Sequence, residues 1–248
     1  MTELSDYQYQ YRNIHMERQD GILEVRLHSE SGPLKWGAMA HSIHAQLGNA
    51  FSDIGRDENN RVVILTGTGN VFCTEMEMTE LPGPDEQGYW HRILREGRSL
   101  LMNLLDIPVP VISAINGPAT IHAELPLLSD IVLASDATVF GDDHFSYGTV
   151  PGDGAHVIWP QLLGHNRGRY FLLTGQRIVA EEALTPGLVS EVLPADMLMP
   201  RARELAADIG SKPIEVLRYT RSTLTHRFKR KLLDELGYGL AVEGLALG

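Results

Sequence analysis

Segments with strand-type and helix-type patterns alternate along most of this chain, and that alternation limits the fold classes open to it. Apolar residues recur at helical spacing from Ile43 to Ile54, and the continuous apolar run Val62–Leu65 follows them. A second helical pattern over Ile93–Leu105 precedes two strand-like segments, Val109–Ile115 and Asp130–Ala134, separated by a short helix. Such an order is typical of an α/β protein.

The two ends of the chain differ from this middle region. Near the N-terminus, Ile14–Met16 and Leu23–Leu27 alternate apolar with polar residues around Asp20-Gly21, which predicts a β-hairpin. After Pro194 the pattern becomes helical, with expected helices over Leu198–Ile209, Pro213–Leu224 and Phe228–Leu245. We therefore divide the chain into an α/β core over residues 1–194 and a C-terminal helical region over residues 195–248.

Composition excludes several functional classes. A length of 248 residues with 43% hydrophobic content is enough for a well-buried core, and the net charge of -11 offers no basic surface for nucleic acid or anionic membrane. The single cysteine, Cys73, excludes an intramolecular disulfide framework. With no apolar run long enough for a membrane span, we expect a cytoplasmic protein that binds a small molecule.

Generic site motifs are weak or absent. Gly67-Thr68-Gly69 lacks both the Lys-Ser/Thr pair of a phosphate-binding loop and the spacing of a dinucleotide fingerprint, so it is interpreted as a turn after a strand. His41 and His44 are three residues apart on a helix, but no third metal ligand follows at a recognisable spacing. We expect no metal and no organic cofactor.

The stretch from Asn116 to His156 is the most informative part of the sequence. It contains Asn116-Gly117-Pro118, the strand Asp130–Ala134, Phe140-Gly141 and the loop Pro151-Gly152-Asp153-Gly154. This order resembles the crotonase superfamily, which includes the enoyl-CoA hydratases and isomerases. The resemblance extends over roughly residues 12 to 245 and implies a crotonase-type spiral of ββα units with a C-terminal helical appendage.

Departures from the hydratase pattern point to different chemistry. Ile121-His122-Ala123 stands where hydratases usually carry three glycines, and His144 falls where they place a catalytic glutamate. The sequence is therefore most similar to the β-diketone hydrolase branch, typified by 6-oxocamphor hydrolase. That resemblance implies a site made of Trp36, His41, His122, His144, Asp153 and Glu243.

Retro-Claisen hydrolysis of a β-diketone would suit these residue types. Water attack on a ketone needs a base that titrates near neutral pH, and His144 paired with Asp153 is our candidate dyad. Cleavage then expels an enolate, which donors on His122 and Trp36 would stabilise. Glu243 and His41 are candidates to deliver the proton that the enolate needs.

Two other functions remain open at this stage. One is hydratase or isomerase chemistry on a coenzyme A thioester, and the other is a catalytically silent assembly partner. The family resemblance also implies a homotrimer or a dimer of trimers, with the C-terminal helices at the subunit contacts. Glu124, His156 and His165 are interpreted as structural residues.

Overall fold

The structure, a computed structural model, describes residues 2–81 and 88–247 and consists of helices around one main sheet. The helices are α1 (Leu4–Tyr7), α2 (Ile43–Arg56), α3 (Tyr89–Asp106), α4 (Glu124–Leu127), α5 (Ala155–Leu163), α6 (His165–Thr174), α7 (Ala180–Leu184), α8 (Ala195–Gly210) and α9 (Ile214–Leu247). The strands are β1 (Ile14–Gln19), β2 (Ile22–Leu27), β3 (Leu34–Trp36), β4 (Val62–Thr66), β5 (Cys73–Met76), β6 (Val111–Ile115), β7 (Ile131–Ser135), β8 (Val139–Phe140), β9 (Ile178–Val179) and β10 (Glu191–Leu193). Short 3-10 helices cover Met78–Glu80 and Phe145–Tyr147.

The main sheet has six strands in the order β1-β2-β4-β6-β7-β10. Strands β1 and β2 pair antiparallel as the predicted hairpin, and every other neighbouring pair in this sheet is parallel. Two smaller pairs, β3 with β5 and β8 with β9, are linked through single bridges of Ala119 to Cys73 and Phe140. The α/β class predicted from the sequence is confirmed.

Helices cover both faces of the main sheet, which explains the continuous apolar runs in its central strands. All residues of β4 and β6 are buried, as expected for parallel strands with two covered faces. One face contributes to the large core with α2 and α3, and the other packs against Leu198, Ala202 and Ala206 of α8. Helix α8 is thus packed onto the sheet, although it lies in the C-terminal helical region.

One prediction about that region is wrong. The segments Pro213–Leu224 and Phe228–Leu245 were expected to be two helices, but α9 runs unbroken from Ile214 to Leu247. Between the two segments the helix continues, and the hydroxyl of buried Thr225 donates to the carbonyl of Arg221 one turn earlier, a bond that an unbroken helix permits. Among the described residues, no helix is both long enough and apolar enough to cross a bilayer.

Arg221 fixes the position of α9 against the end of α3. Its side chain is fully buried, its Nε donates to Asp130 Oδ2 at 2.6 Å, and its other nitrogens donate to the carbonyls of Leu104, Leu105 and Ile107. These carbonyls lie at the C-terminal end of α3, where backbone acceptors lack helical partners. The contact therefore holds the long helix whose far end reaches the cavity described below.

We expect Arg221→Ala to lower the free energy of unfolding by about 3–5 kcal/mol, because it leaves the Asp130 carboxylate and the α3 carbonyls without their buried partner. Lys212→Ala, which removes a largely exposed ion pair with Asp208, should change it by less than about 0.5 kcal/mol. Urea denaturation of both variants measures the difference. Equal stability of the two variants would contradict a structural role for Arg221.

Candidate active site

A cavity of about 560 Å³ opens where the ends of several elements meet the end of α9. Its walls are largely apolar and aromatic, with several ionisable side chains among them. The predicted residues among its lining are Trp36, His122, His144, Asp153 and Glu243. Strand β3 supplies Trp36, α9 supplies Glu243, and loops supply the other three. The structure therefore brings together five of the six residues implied by the resemblance.

His144 stands just before the 3-10 helix Phe145–Tyr147 and is held by a carboxylate that the sequence analysis missed. Its Nδ1 lies 3.1 Å from Asp142 Oδ1 in hydrogen-bond geometry, and its backbone N–H donates to the same oxygen. Asp142 is almost fully buried. We had expected Asp153 on the far nitrogen of the imidazole, but Asp142 occupies that position. The other nitrogen, Nε2, lies 3.2 Å from Asp153 Oδ2.

His122 has a strained backbone, at the position where the resemblance to hydratases leads us to expect glycine. Its φ of 51° lies in the left-handed region, which costs a residue other than glycine about 1–2 kcal/mol. Its side chain is hydrogen-bonded through Nδ1 to Glu124 Oε1 at 2.8 Å. It also stacks on the Trp36 indole, with ring centroids 3.8 Å apart. Glu124 is thus a buried partner of His122, in line with its structural interpretation.

Asp153 lies between the two histidines. Its Oδ2 is 3.1 Å from His122 Nδ1 and 3.2 Å from His144 Nε2, yet among the described residues neither oxygen has a partner in hydrogen-bond geometry. The preceding residue explains how the loop comes so close to α9. A Cβ atom on Gly152 would overlap the carbonyl oxygen of Gly239, so only glycine permits this approach.

Opposite charges set the protonation of this cluster. Burial lowers the pKa of His122, but the carboxylates of Glu124 and Asp153 outweigh it and raise the pKa to about 9. The same competition, with Asp153 and Asp142 as partners, leaves the pKa of His144 well above its usual value. Burial alone would raise the pKa of Asp153, yet the two imidazoles lower it well below the usual range. At neutral pH the cluster is therefore an aspartate between two imidazolium ions.

Glu243 differs from the other acids of the site. Burial, and then repulsion from Asp153, raise its pKa to about 8. Its Oε2 is buried and has no hydrogen-bond partner among the described groups. At neutral pH this carboxyl group therefore keeps its proton, next to an ionised aspartate.

The structure does not bring His41 to the cavity. Its side chain is 63% exposed and its nearest charged partner is Glu80, 3.7 Å away.

His44 lines the cavity instead. It is buried beside Trp36, and its Nδ1 is hydrogen-bonded to Glu96. Burial lowers the pKa of His44, so it is neutral at pH 7. The helical spacing of His44 with Leu47 and Phe51 placed it on the buried face and could have identified it.

Comparison with known proteins identifies the family of this chain. A sequence profile of the enoyl-CoA hydratase/isomerase family matches residues 17–240. The chain belongs to this family. The crotonase-superfamily resemblance is thereby confirmed. Carnitinyl-CoA dehydratase of Proteus mirabilis is 31% identical over 240 residues, which cover 94% of this chain and 87% of that protein. A Bacillus subtilis protein with the provisional name enoyl-CoA hydratase/isomerase YngF is 33% identical over 214 residues, covering 85% and 80%.

A solved structure of a protein named for a different reaction has a higher sequence identity to this chain than these two relatives. It is a β-diketone hydrolase from Anabaena sp. PCC 7120 bound to (S)-3-oxocyclohexyl acetic acid. It is 45% identical to this chain, with a TM-score of 0.94, and the match covers 98% of this chain and 96% of that one. This member of the enoyl-CoA hydratase/isomerase family is thus similar to proteins named for thioester chemistry and to one named for diketone hydrolysis.

The two carboxylates beside His144 can be separated by titration. We expect Asp142→Asn to lower the pKa of His144 alone, and Asp153→Asn to lower the pKa of both His144 and His122. A lost negative charge destabilises imidazolium, so each affected midpoint moves to lower pH. NMR titration of ¹⁵N-labelled histidines measures both residues in each variant. If Asp142→Asn left the midpoint of His144 unchanged, the hydrogen bond between them would not exist in solution.

Proposed function

We propose that this crotonase-superfamily protein hydrolyses the carbon–carbon bond between the two ketones of a small, cyclic β-diketone, without a metal or organic cofactor. The observation that carries the proposal is the aspartate between two imidazoles in the wall of a largely apolar cavity. The cavity provides groups for each step of a retro-Claisen cleavage: a base, donors for an enolate and an acid.

The first step is the attack of water. Asp142 holds Nδ1–H of His144, which leaves Nε2 to accept a proton from water while the hydroxide adds to one ketone. Asp153, 3.2 Å from Nε2, stabilises the imidazolium that results. Because only neutral His144 acts as a base and its pKa is raised, the rate of this step increases as the pH rises above neutral.

The second step breaks the carbon–carbon bond. The electron pair of that bond passes to the second ketone as an enolate, and the attacked carbon becomes a carboxylic acid. With a pKa of about 9, His122 is protonated at neutral pH and donates to the enolate oxygen, while stacked Trp36 fixes its ring plane. Glu243, with a pKa of about 8, supplies the proton to the enolate carbon. The proton that His144 took from water then returns Glu243 to its acid form, so one water molecule is consumed and the product is a keto acid.

Thioester chemistry fits this cavity less well. Coenzyme A carries phosphates, but the described residues that line the cavity include neither lysine nor arginine, and they do include Glu75 and Asp143. The ligand of the Anabaena β-diketone hydrolase also supports a diketone substrate. Its ketone and its carboxylate are the two groups that hydrolysis of a bicyclic 1,3-diketone would leave.

We further propose that the protein assembles as a homotrimer or a dimer of trimers.

A substrate panel tests the activity. We expect the purified protein to convert at least one monocyclic or bicyclic 1,3-diketone to its keto acid, with one ¹⁸O atom from labelled water in the carboxylate. Prior treatment with EDTA should leave the rate unchanged. The measurement is mass spectrometry of the products, with crotonyl-CoA as the comparison substrate. Hydration or hydrolysis of crotonyl-CoA at a rate rivalling the best diketone would favour the coenzyme A alternative.

The roles within the cluster are tested by substitution. We expect His144→Ala to lower kcat by about 10² to 10⁴, the usual contribution of a positioned base. Asp153→Asn should lower kcat by a comparable factor, and the double variant should be little worse than either single one, because groups acting as a unit are not additive. His122→Ala should raise KM and also lower kcat. Steady-state kinetics on a good diketone provides all four values.

His165→Ala is a suitable control for these variants, because this exposed histidine at the start of α6 lies outside the cavity. Its kcat should equal that of the unaltered protein. If folded His144→Ala and Asp153→Asn both kept more than about half of kcat, far above the value expected without a base, the dyad would be wrong. His122, whose Nδ1 is also held by a carboxylate, would then be the next candidate for the base.

A further inference from the structure

Asp153 is a buried carboxylate that the protein leaves without hydrogen bonds. Its side chain is 10% exposed, and neither oxygen has a partner in hydrogen-bond geometry among the described residues. Buried carboxylates are normally hydrogen-bonded or coordinated to a metal. Attraction to the two imidazolium ions partly compensates this burial, but both oxygens keep unused lone pairs. A ligand that accepts electron pairs is therefore the natural complement of this site.

The spacing of the surrounding nitrogens matches such a ligand. Ligand atoms of His122, His144 and Asp153 all lie within 4.8 Å of one another. With metal–ligand bonds of about 2.0–2.1 Å, neighbouring ligand atoms lie about 2.9 Å apart in an octahedral site and about 3.4 Å apart in a tetrahedral site. The two N···O distances to Asp153, 3.1 Å and 3.2 Å, fall between these values. Neither contact with Asp153 has hydrogen-bond geometry. A metal ion on Nδ1 of His122 would replace the hydrogen bond between that atom and Glu124 Oε1.

We propose that His122, His144 and Asp153 form a binding site for a divalent transition metal of the Zn²⁺ type, and that occupation of this site inhibits the enzyme. Two imidazoles and one carboxylate are a common ligand set for zinc, and they leave a coordination position open to water from the cavity.

The groups around the triad favour a cation. Asp142 already holds Nδ1 of His144, as the outer carboxylate does in most metal–histidine sites, so Nε2 is oriented as a ligand. The carboxyl group of Glu124, which lies 2.8 Å from Nδ1 of His122, adds an acidic group next to the triad. Binding replaces the protons on the ligating nitrogens of the two imidazoles, so up to two protons are released to solvent and affinity rises with pH.

Inhibition follows from the role of one lone pair. The metal occupies Nε2 of His144, the atom that would accept the proton of the attacking water. This inhibitory part rests on the proposed function, whereas metal binding itself does not. An optical titration in the absence of substrate therefore separates the two.

Co²⁺ is the probe for binding, because its visible absorption reports coordination by nitrogen and oxygen. After treatment with EDTA and dialysis, we expect one equivalent of Co²⁺ per chain to give a saturable absorption band between about 500 and 650 nm that Zn²⁺ abolishes. His144→Ala and Asp153→Asn should each weaken binding by at least about tenfold, since loss of a ligand costs no less than loss of an outer partner. Circular dichroism verifies that each variant is folded.

His15→Ala is the matched control, because exposed His15 forms a surface pair with Glu17 from the same donor types. It should bind Co²⁺ like the unaltered protein. If either ligand variant did not fold, Asp142→Asn would replace it and should weaken Co²⁺ binding by about tenfold. An absent band, or equal binding by the triad variants and the unaltered protein, would overturn the site. Binding with full diketone hydrolysis in saturating Zn²⁺ would overturn the inhibition, and binding without any diketone hydrolysis in the metal-free protein would reject the proposed function alone.

Discussion

The ionised carboxylate of Asp153 imposes the strongest constraint on this molecule, because it is buried beside a largely apolar cavity. An unpaired buried charge costs several kcal/mol, so the surrounding structure must supply positive charge. His122 and His144 supply it from two loops that follow different strands, and each histidine needs its own carboxylate to remain protonated. The cluster therefore links segments that are far apart in sequence, and the Gly152–Gly239 contact fastens it to α9.

The family fold carries a histidine at a cavity position whose backbone conformation favours glycine. The backbone at position 122 keeps a conformation suited to glycine, although a histidine now occupies it. Its side chain lines the cavity wall and places an imidazole there. Because the strain at one residue is small compared with the stabilisation by the entire buried core, the fold tolerates a histidine at this position.

The charges of the cluster give its ionisable groups different protonation states at the same pH. Asp153 is ionised because two cations flank it, whereas Glu243 is protonated because it is buried and faces that anion. The imidazoles are protonated beside Asp142, Glu124 and Asp153, yet His44, buried next to Trp36, is neutral. A single cavity thus contains groups that can accept a proton and groups that can donate one, as a cleavage with an enolate intermediate requires.

The sequence by itself determined the α/β class, the N-terminal hairpin and the positions of most helices and strands, and its resemblance to a known family implied five residues that line the cavity. Those features follow from local periodicity, turn residues and a motif order that survive without tertiary contacts. Only the tertiary structure decided that Asp142 rather than Asp153 hydrogen-bonds His144, and that His44 rather than His41 faces the cavity. It also decided that α9 is continuous. The first outcome depends on the orientation of the His144 ring, the second on which face of α2 meets the core, and the third on packing around Thr225. Contacts with distant segments determine all three.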